Sequence, residues 1–181
     1  MEDKIKQSSI TFACRMDKGL YEILQKESRS KGTSRNSLVN SILKKYVSWE
    51  KYADEIGFIP LAKDTIKLIF DNLDDRKIKE IAHRLGKTVP REFILLMFNR
   101  IDFNSIVSFI EITSSRYGMV QHNITKDTHD LIVYHNVNER FSKFLAEAAK
   151  AMAEDLSVNL EVVLADSKIL SIRIKEINDS Q

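Results

Sequence analysis

The sequence predicts an α+β protein, because the spacing of its apolar residues changes twice along the chain. Apolar and polar residues alternate over residues 10–16, apolar residues recur at helical spacing over 17–117, and a period of two returns after residue 118. We therefore expect an N-terminal domain at 1–57, a helical segment at 58–117 and a C-terminal sheet domain at 118–181. The last two could form one regulatory or oligomerisation unit.

Residues 10–16 are expected to form a single half-buried strand. Its apolar face would carry Ile10, Phe12, Cys14 and Met16, and its polar face Thr11, Ala13 and Arg15. Both flanking segments are polar or helical, so no second strand is near in sequence. Because a lone strand leaves its ladder hydrogen bonds unpaired, the simplest partner is the same strand of a second copy. This predicts a twofold dimer with an antiparallel intermolecular ribbon.

Two helices should follow this strand. Asp17 is a good N-cap for the first helix, and Gly32 would stop it. Ser34 would cap the second helix, which is expected to run on to Gly57 as a C-cap and domain boundary. The apolar stripe of the second helix is wider than one neighbour needs: Leu38, Val39, Ile42, Leu43, Tyr46 and Val47. Such a helix would pack on both the first helix and its twin in a dimer.

A strand, a helix, the sequence Gly-Thr-Ser-Arg-Asn-Ser at 32–37 and a second helix together resemble the ribbon-helix-helix family of DNA-binding proteins, the Arc, MetJ and CopG type. The resemblance covers only the N-terminal part of the chain. It implies that a two-stranded ribbon enters the major groove of double-stranded DNA. Two sets of side chains would then contact DNA: Thr11, Ala13 and Arg15 at the bases, and Ser34, Arg35 and Asn36 at a phosphate.

The chemistry of these residues is consistent with that role. Arginine can donate two hydrogen bonds to guanine, and threonine can donate, accept or touch a thymine methyl group. Free amides at a helix N-terminus can hold a phosphate. Ala13 departs from the pattern, because it can only contact a thymine methyl group, and so sequence readout per dimer could be modest.

Charge and cysteine content also bear on the class of protein. Residues 1–49 contain ten Lys/Arg and five Asp/Glu, so this segment has a net charge of +5 and the remainder −3. A basic segment on an acidic body is expected of a protein whose basic part meets a polyanion. The single cysteine, Cys14, is expected to be a small buried hydrophobe, which suits a reducing compartment. With no membrane span or signal peptide evident in the sequence, we expect a cytoplasmic protein and no membrane partner.

The segment from 63 to 117 is expected to form four short helices. Asp74, Thr88 and Asp102 stand where N-caps belong, and Gly86 and Gly118 where C-caps belong. Residues 81–98 also suggest a helix-turn-helix, but their second helix is nearly all apolar, whereas a helix in the DNA groove needs polar groups. We therefore expect a plain antiparallel helix pair here.

After residue 118 we expect a ββαββ arrangement. Strands are predicted at 119–125, 130–135, 159–164 and 169–174, and Asn138 would cap the helix between the two pairs. The result would be a small antiparallel sheet with one face covered by that helix.

Catalytic, cofactor and metal sites are not expected. His122, His129 and His135 are loosely spaced, and the single cysteine lies far from them in sequence. No Gly-rich nucleotide loop and no serine flanked by glycines is present. We therefore expect no enzyme, no cofactor and no metal site.

The sequence thus favours a homodimeric, sequence-specific transcriptional regulator, such as a repressor. Two alternatives remain open: a protein-interaction module such as an antitoxin, whose body binds a partner protein, and a low-specificity architectural DNA binder. An effector and a tetramer are both compatible with the sequence, which identifies neither.

Overall fold

A computed structural model of the chain describes residues 10–176. It confirms an α+β architecture with one four-stranded antiparallel sheet. The chain divides into two compact units, an N-terminal unit up to Val47 and a body that begins at Ser48. This break comes earlier than the boundary expected at Gly57, because Trp49 and Ala53 are buried in the core of the body. The helical segment and the sheet both belong to that body.

The N-terminal unit contains helix α1 (Lys18–Ser30) and helix α2 (Arg35–Lys45). Both predicted N-caps are confirmed: Asp17 accepts hydrogen bonds from the amides of Gly19 and Leu20, and Ser34 from that of Ser37. Residues 10–17 have no regular secondary structure in the single chain. The ribbon therefore stays a prediction, since it requires a second copy.

The second predicted helix continues to Gly57 but is interrupted. A π-helical turn (Tyr46–Glu50) follows α2, and helix α3 (Lys51–Ile56) follows the turn. Gly57 ends α3 in the left-handed conformation with φ of 81°, which confirms it as a C-cap.

The prediction of four short helices between 63 and 117 is wrong. The segment forms helix α4 (Lys63–Asp71), one long helix α5 (Asp75–Phe98) and helix α6 (Phe103–Tyr117). Gly86 is not a C-cap and Thr88 is not an N-cap, because both lie inside α5. Without a turn at Gly86, both the helix-turn-helix and the antiparallel helix pair expected over residues 81–98 are wrong.

Gly86 has a packing role instead. Buried residues of α5 form one stripe that runs through it: Ile78, Ala82, Gly86, Phe93 and Ile94. A Cβ atom on Gly86 would lie 2.3 Å from the carbonyl oxygen of Ala148. Ala148 belongs to helix α7 (Glu139–Leu156), so glycine lets the backbones of the two helices approach closely.

The predicted ββαββ arrangement is confirmed. Strands β1 (Met119–Thr125) and β2 (Thr128–Tyr134) precede α7, and strands β3 (Asn159–Ala165) and β4 (Ile169–Lys175) follow it. The strand order is β1-β2-β4-β3, antiparallel throughout. Asn138 caps α7 by accepting the amide hydrogen bond of Phe141.

Burial alternates along the central strands, so the sheet has an inner and an outer face. The inner residues join side chains of α5, α6 and α7 in one core; from the strands it contains Leu131, Val133, Leu170, Ile172 and Ile174. Within residues 10–176 no single helix is long and apolar enough to cross a membrane. Helices α5 and α6 would be long and apolar enough only if taken together, and a 105° bend separates them.

We predict that Gly86→Ala destabilises the body by about 1–3 kcal/mol, the usual cost of overpacking a core. In an exposed helix the same change would stabilise by up to about 1 kcal/mol. The sign of the change in the free energy of unfolding therefore reports whether α5 approaches α7 closely. Chemical denaturation measures the change, with Glu80→Ala at an exposed position of α5 as the control. A Gly86→Ala protein as stable as the wild type would contradict the packing described.

Candidate nucleic-acid interface

The base-contacting residues expected from the sequence are all exposed. Thr11, Ala13 and Arg15 lie at alternate positions of the segment before α1, and each is open to solvent. Arg15 has no ion pair among residues 10–176. The three side chains are therefore available to a ligand.

The face expected to be apolar and buried is exposed in the single chain. Ile10 is 90% exposed and Phe12 is 70% exposed. Cys14, expected to be buried, is also exposed. Met16, the fourth residue of this face, is half-buried, and no element within residues 10–176 covers the other three.

The two helices of the N-terminal unit also leave apolar side chains exposed. Their buried residues are few: Leu24 and Ser28 of α1 and Leu38 of α2. Several large apolar side chains of this unit remain exposed, namely Leu20, Tyr21, Ile23, Ile42, Leu43, Tyr46 and Val47. Contiguous exposed apolar patches are typical of interaction sites, so these side chains are candidates for one.

The phosphate-binding residues expected from the sequence meet at the start of α2. Ser34 is in an extended conformation, and its hydroxyl oxygen accepts from the Ser37 amide at 3.0 Å. The amides of Arg35 and Asn36 precede the first helical hydrogen bonds and have no partner among residues 10–176. They add to the positive end of the helix dipole, which favours an anion.

Tyr21 of α1 has a role that the sequence analysis missed. The Arg35 guanidinium lies over the Tyr21 ring, 4.3 Å from its centroid. This cation–π contact restricts the arginine while leaving its N–H groups able to donate. A tyrosine fourteen positions upstream gives no periodic signal, so only the packing of α1 on α2 reveals the pair.

The histidines of the body form two separate arrangements. His122 and His129 lie diagonally across β1 and β2, where His122 Nε2 is 2.9 Å from His129 Nδ1. The Glu111 carboxylate lies 3.1 Å from His122 Nδ1. A carboxylate can only accept, so the Nδ1–H of His122 donates to Glu111, and Nε2 then accepts from His129. The sequence analysis missed this pair because it considered only the spacing of the histidines along the chain, whereas the pair depends on the register of β1 with β2.

His135 is fully buried and lies elsewhere in the core. Its Nε2 atom is 2.8 Å from the Ser142 hydroxyl, and its Nδ1 accepts from the Val137 amide at 3.1 Å. The Ser142 hydroxyl in turn donates to the Ile169 carbonyl at 3.0 Å. This closed set of hydrogen bonds stabilises the start of α7 against the sheet and leaves no open group for a substrate.

Burial is the main influence on the titration of both His129 and His135. It lowers the pKa of His129 below its ordinary value of 6.5, and the neighbouring His122 lowers it further, against the raising effect of Glu176 and Glu111. Burial likewise lowers the pKa of His135, which Asp166 raises and Lys63 lowers. Both imidazoles therefore favour the neutral form.

A metal centre is not formed by these groups. Among residues 10–176, no three or more His, Cys, Asp or Glu side chains are grouped so that they could hold a metal ion.

The chain matches no protein-family model, and no curated protein is a significant match to it.

We predict that acid weakens the body. Histidines whose pKa is lowered by folding stabilise fully above their unfolded pKa near 6.5, and this stability is lost as the pH falls toward the folded pKa. The free energy of unfolding should therefore fall as the pH is lowered from about 7.5 to 5.5. His129→Asn should reduce that slope, whereas His83→Asn at an exposed position should leave it unchanged. Denaturant titrations across this pH range measure it, and an equal slope in all three proteins would refute the assignment.

Proposed function

We propose that this protein is a homodimeric, sequence-specific DNA-binding transcriptional regulator that reads the major groove with a β-ribbon built from two copies. The observation that carries the proposal is the exposed apolar face of residues 10–16, with Phe12 70% exposed, next to an exposed polar face that ends in Arg15. As a strand, this segment would have an apolar side to bury and a polar side to present.

A second copy would cover the apolar side. Burying one large apolar side chain stabilises by about 1.5–3 kcal/mol, and both copies would contribute several. The first strands would pair about a twofold axis and supply each other's missing hydrogen bonds. The exposed apolar residues of α2, which include Ile42 and Tyr46, would pack on the twin helices.

The polar side would then face DNA. A two-stranded ribbon fits the major groove, where Arg15 could donate two hydrogen bonds to guanine and Thr11 could contact a neighbouring base. Ala13 offers only contact with a thymine methyl group. The three residues thus form the base-reading surface of each ribbon strand.

Phosphate binding would fix the ribbon in the groove. The first amides of α2, at Arg35 and Asn36, suit a phosphate oxygen, and Ser34 holds the helix start in place. Arg35 adds a charge already oriented by Tyr21. Such contacts position the protein on the duplex and carry no base information themselves.

The body would serve regulation or oligomerisation, in the cytoplasm, where the DNA-binding unit could occupy an operator as a repressor. An antitoxin-like role is less well supported, because such partner-binding regions commonly fold on binding, whereas this body has its own extensive core. The architectural alternative is favoured by one observation, the apolar Ala13 at the centre of the reading surface.

We predict that Arg15→Ala weakens binding to a preferred DNA sequence by about 1–3 kcal/mol and binding to bulk DNA much less. The reason is that a base contact discriminates sequences, whereas a phosphate contact does not. Selection from random genomic fragments, followed by titration over a salt series, measures both affinities.

The control variant is Lys31→Ala, which removes one charge from the same unit at a residue already paired with Glu27. It should weaken all DNA sequences by a similar small factor. An equal loss on all sequences for Arg15→Ala would instead support the architectural binder. Absence of DNA binding by the wild type would reject the proposal.

We predict that Phe12→Lys prevents the ribbon from forming and abolishes specific DNA binding. Cys14 lies on the same face and is the single cysteine, so its reaction with a thiol reagent reports whether that face is covered. The reaction should be slow in the wild type and about tenfold or more faster in Phe12→Lys, if ribbon formation contributes at least about 1.4 kcal/mol.

Phe12 lies outside the core of the body, so the variant should retain the helices of the body by circular dichroism. Leu68→Lys, an equally exposed apolar position on α4, should leave Cys14 slow to react. A wild-type Cys14 that reacts as fast as a free thiol, at concentrations where DNA is bound, would contradict the ribbon.

A further inference from the structure

The sheet of the body has two edges that differ in protection. Within residues 10–176, β1 and β3 each have a strand neighbour on one side only. Strand β3 has a break in register between Val162 and Leu164, and it carries the charged Glu161. Helix α7 also packs against it. Irregular register, charge and a covering helix are the devices by which proteins prevent edge strands from pairing with another chain.

Strand β1 has neither the break in register nor a charged side chain, although helix α6 packs against it as α7 does against β3. Its seven residues, Met-Val-Gln-His-Asn-Ile-Thr, include no charged side chain and no proline. Its pairing with β2 runs without a shift from Met119 to Thr125. Met119 is 67% exposed and Ile124 is 63% exposed. A regular, uncharged strand with exposed apolar residues is an edge suited to pairing.

We propose that the free edge of β1 pairs antiparallel with β1 of a second copy, so that two four-stranded sheets become one eight-stranded sheet. This interface lies in the body, goes beyond the proposed DNA-binding function and does not depend on it. The second copy is the occupant that the strand's own composition fits.

The pairing is self-complementary in one register. Only a twofold axis through His122 pairs all seven residues of β1 with those of the other copy. On the inner face, the exposed Ile124 would then lie opposite Val120 of the partner subunit. On the outer face, Gln121 would lie opposite Asn123 of the partner subunit, where the two amides can exchange hydrogen bonds.

Charge also favours a second copy. Because β1 carries no Asp, Glu, Lys or Arg, no like charges of these types on the two strands would meet across the junction, and His122 would lie opposite His122 of the partner subunit. The nearest charged pair on the outer face belongs to the inner strands and is already satisfied, since Arg173 Nε lies 2.8 Å from the Asp130 carboxylate. On the inner face, Glu111 is bonded to His122.

Two charge variants test this register. In Gln121→Lys/Asn123→Lys, each lysine at 121 would face a lysine at 123 of the other copy. In Gln121→Glu/Asn123→Lys, each glutamate at 121 would face a lysine at 123 of the other copy. Both variants place the same lysine beside Asp130 of their own chain, and position 121 pairs with the uncharged Ile132, so the two proteins differ chiefly across the junction.

Amide hydrogen exchange on the full-length protein, resolved along β1, is the measurement. In an unpaired edge strand, alternate amides point away from β2 and exchange rapidly. We expect all wild-type β1 amides to be protected, and the outward ones to exchange at least about tenfold faster in the Lys/Lys variant, a loss of about 1.4 kcal/mol. The Glu/Lys variant should keep the protection, and dilution of the wild type should reduce it.

Two outcomes would overturn the proposal. The first is rapid exchange at the outward amides of the wild type. The second is protection that is equal in both charge variants and independent of concentration, which would mean that another segment occupies the edge. Neither result depends on DNA, so failure here is distinct from failure of the DNA-binding proposal.

Discussion

The N-terminal unit depends on one constraint, which is that residues 10–16 lack both a strand partner and an apolar cover within the described chain. Helices α1 and α2 cannot resolve this, because they bury little beyond Leu24, Ser28 and Leu38. A small unit with so few buried side chains gains too little from its own core, and association is the usual remedy. The proposed dimer therefore follows from what one chain lacks, and DNA reading from what the dimer would present.

The body is different, because its fold is complete without a partner. Helix α5 packs on α7 so closely that Gly86 has no room for a side chain, and α6 and α7 pack against the sheet. The buried His135 keeps all its polar atoms bonded, with Ser142 and Val137 as partners. Since the buried polar side chains of this unit are hydrogen-bonded, the groups available to a partner lie at its surface. Among them is the edge of β1, which differs from the edge of β3 in its regular register and its lack of charged side chains. A stable body can present such an edge without risk to its own folding.

Local chemistry made much of the fold predictable from the sequence. Asp17, Ser34, Asp74, Asp102 and Asn138 cap helices where the sequence placed them, because capping depends on a few adjacent residues. The features that were predicted wrongly or missed depend on residues that are distant in sequence. Gly86 was expected to end a helix, but its absent side chain serves a contact with Ala148. The pair of His122 and His129 depends on strand register, and Arg35 on Tyr21 depends on helix packing. For the candidate interface, the sequence correctly placed Thr11, Ala13 and Arg15 at exposed positions, while their proposed partners would belong to other molecules.

Two self-complementary surfaces on one chain limit the assemblies that can form. If both proposed interfaces joined the same two chains about one axis, the assembly would close as a dimer. If they joined different chains, closure would require a tetramer with two ribbons, and failure to close would give an open filament. A tetramer would place its ribbons on half-sites one or more DNA turns apart, because both must face the same side of the duplex. In that arrangement the uncharged edge of β1 would determine the spacing of operator half-sites, although no residue of that strand would touch DNA.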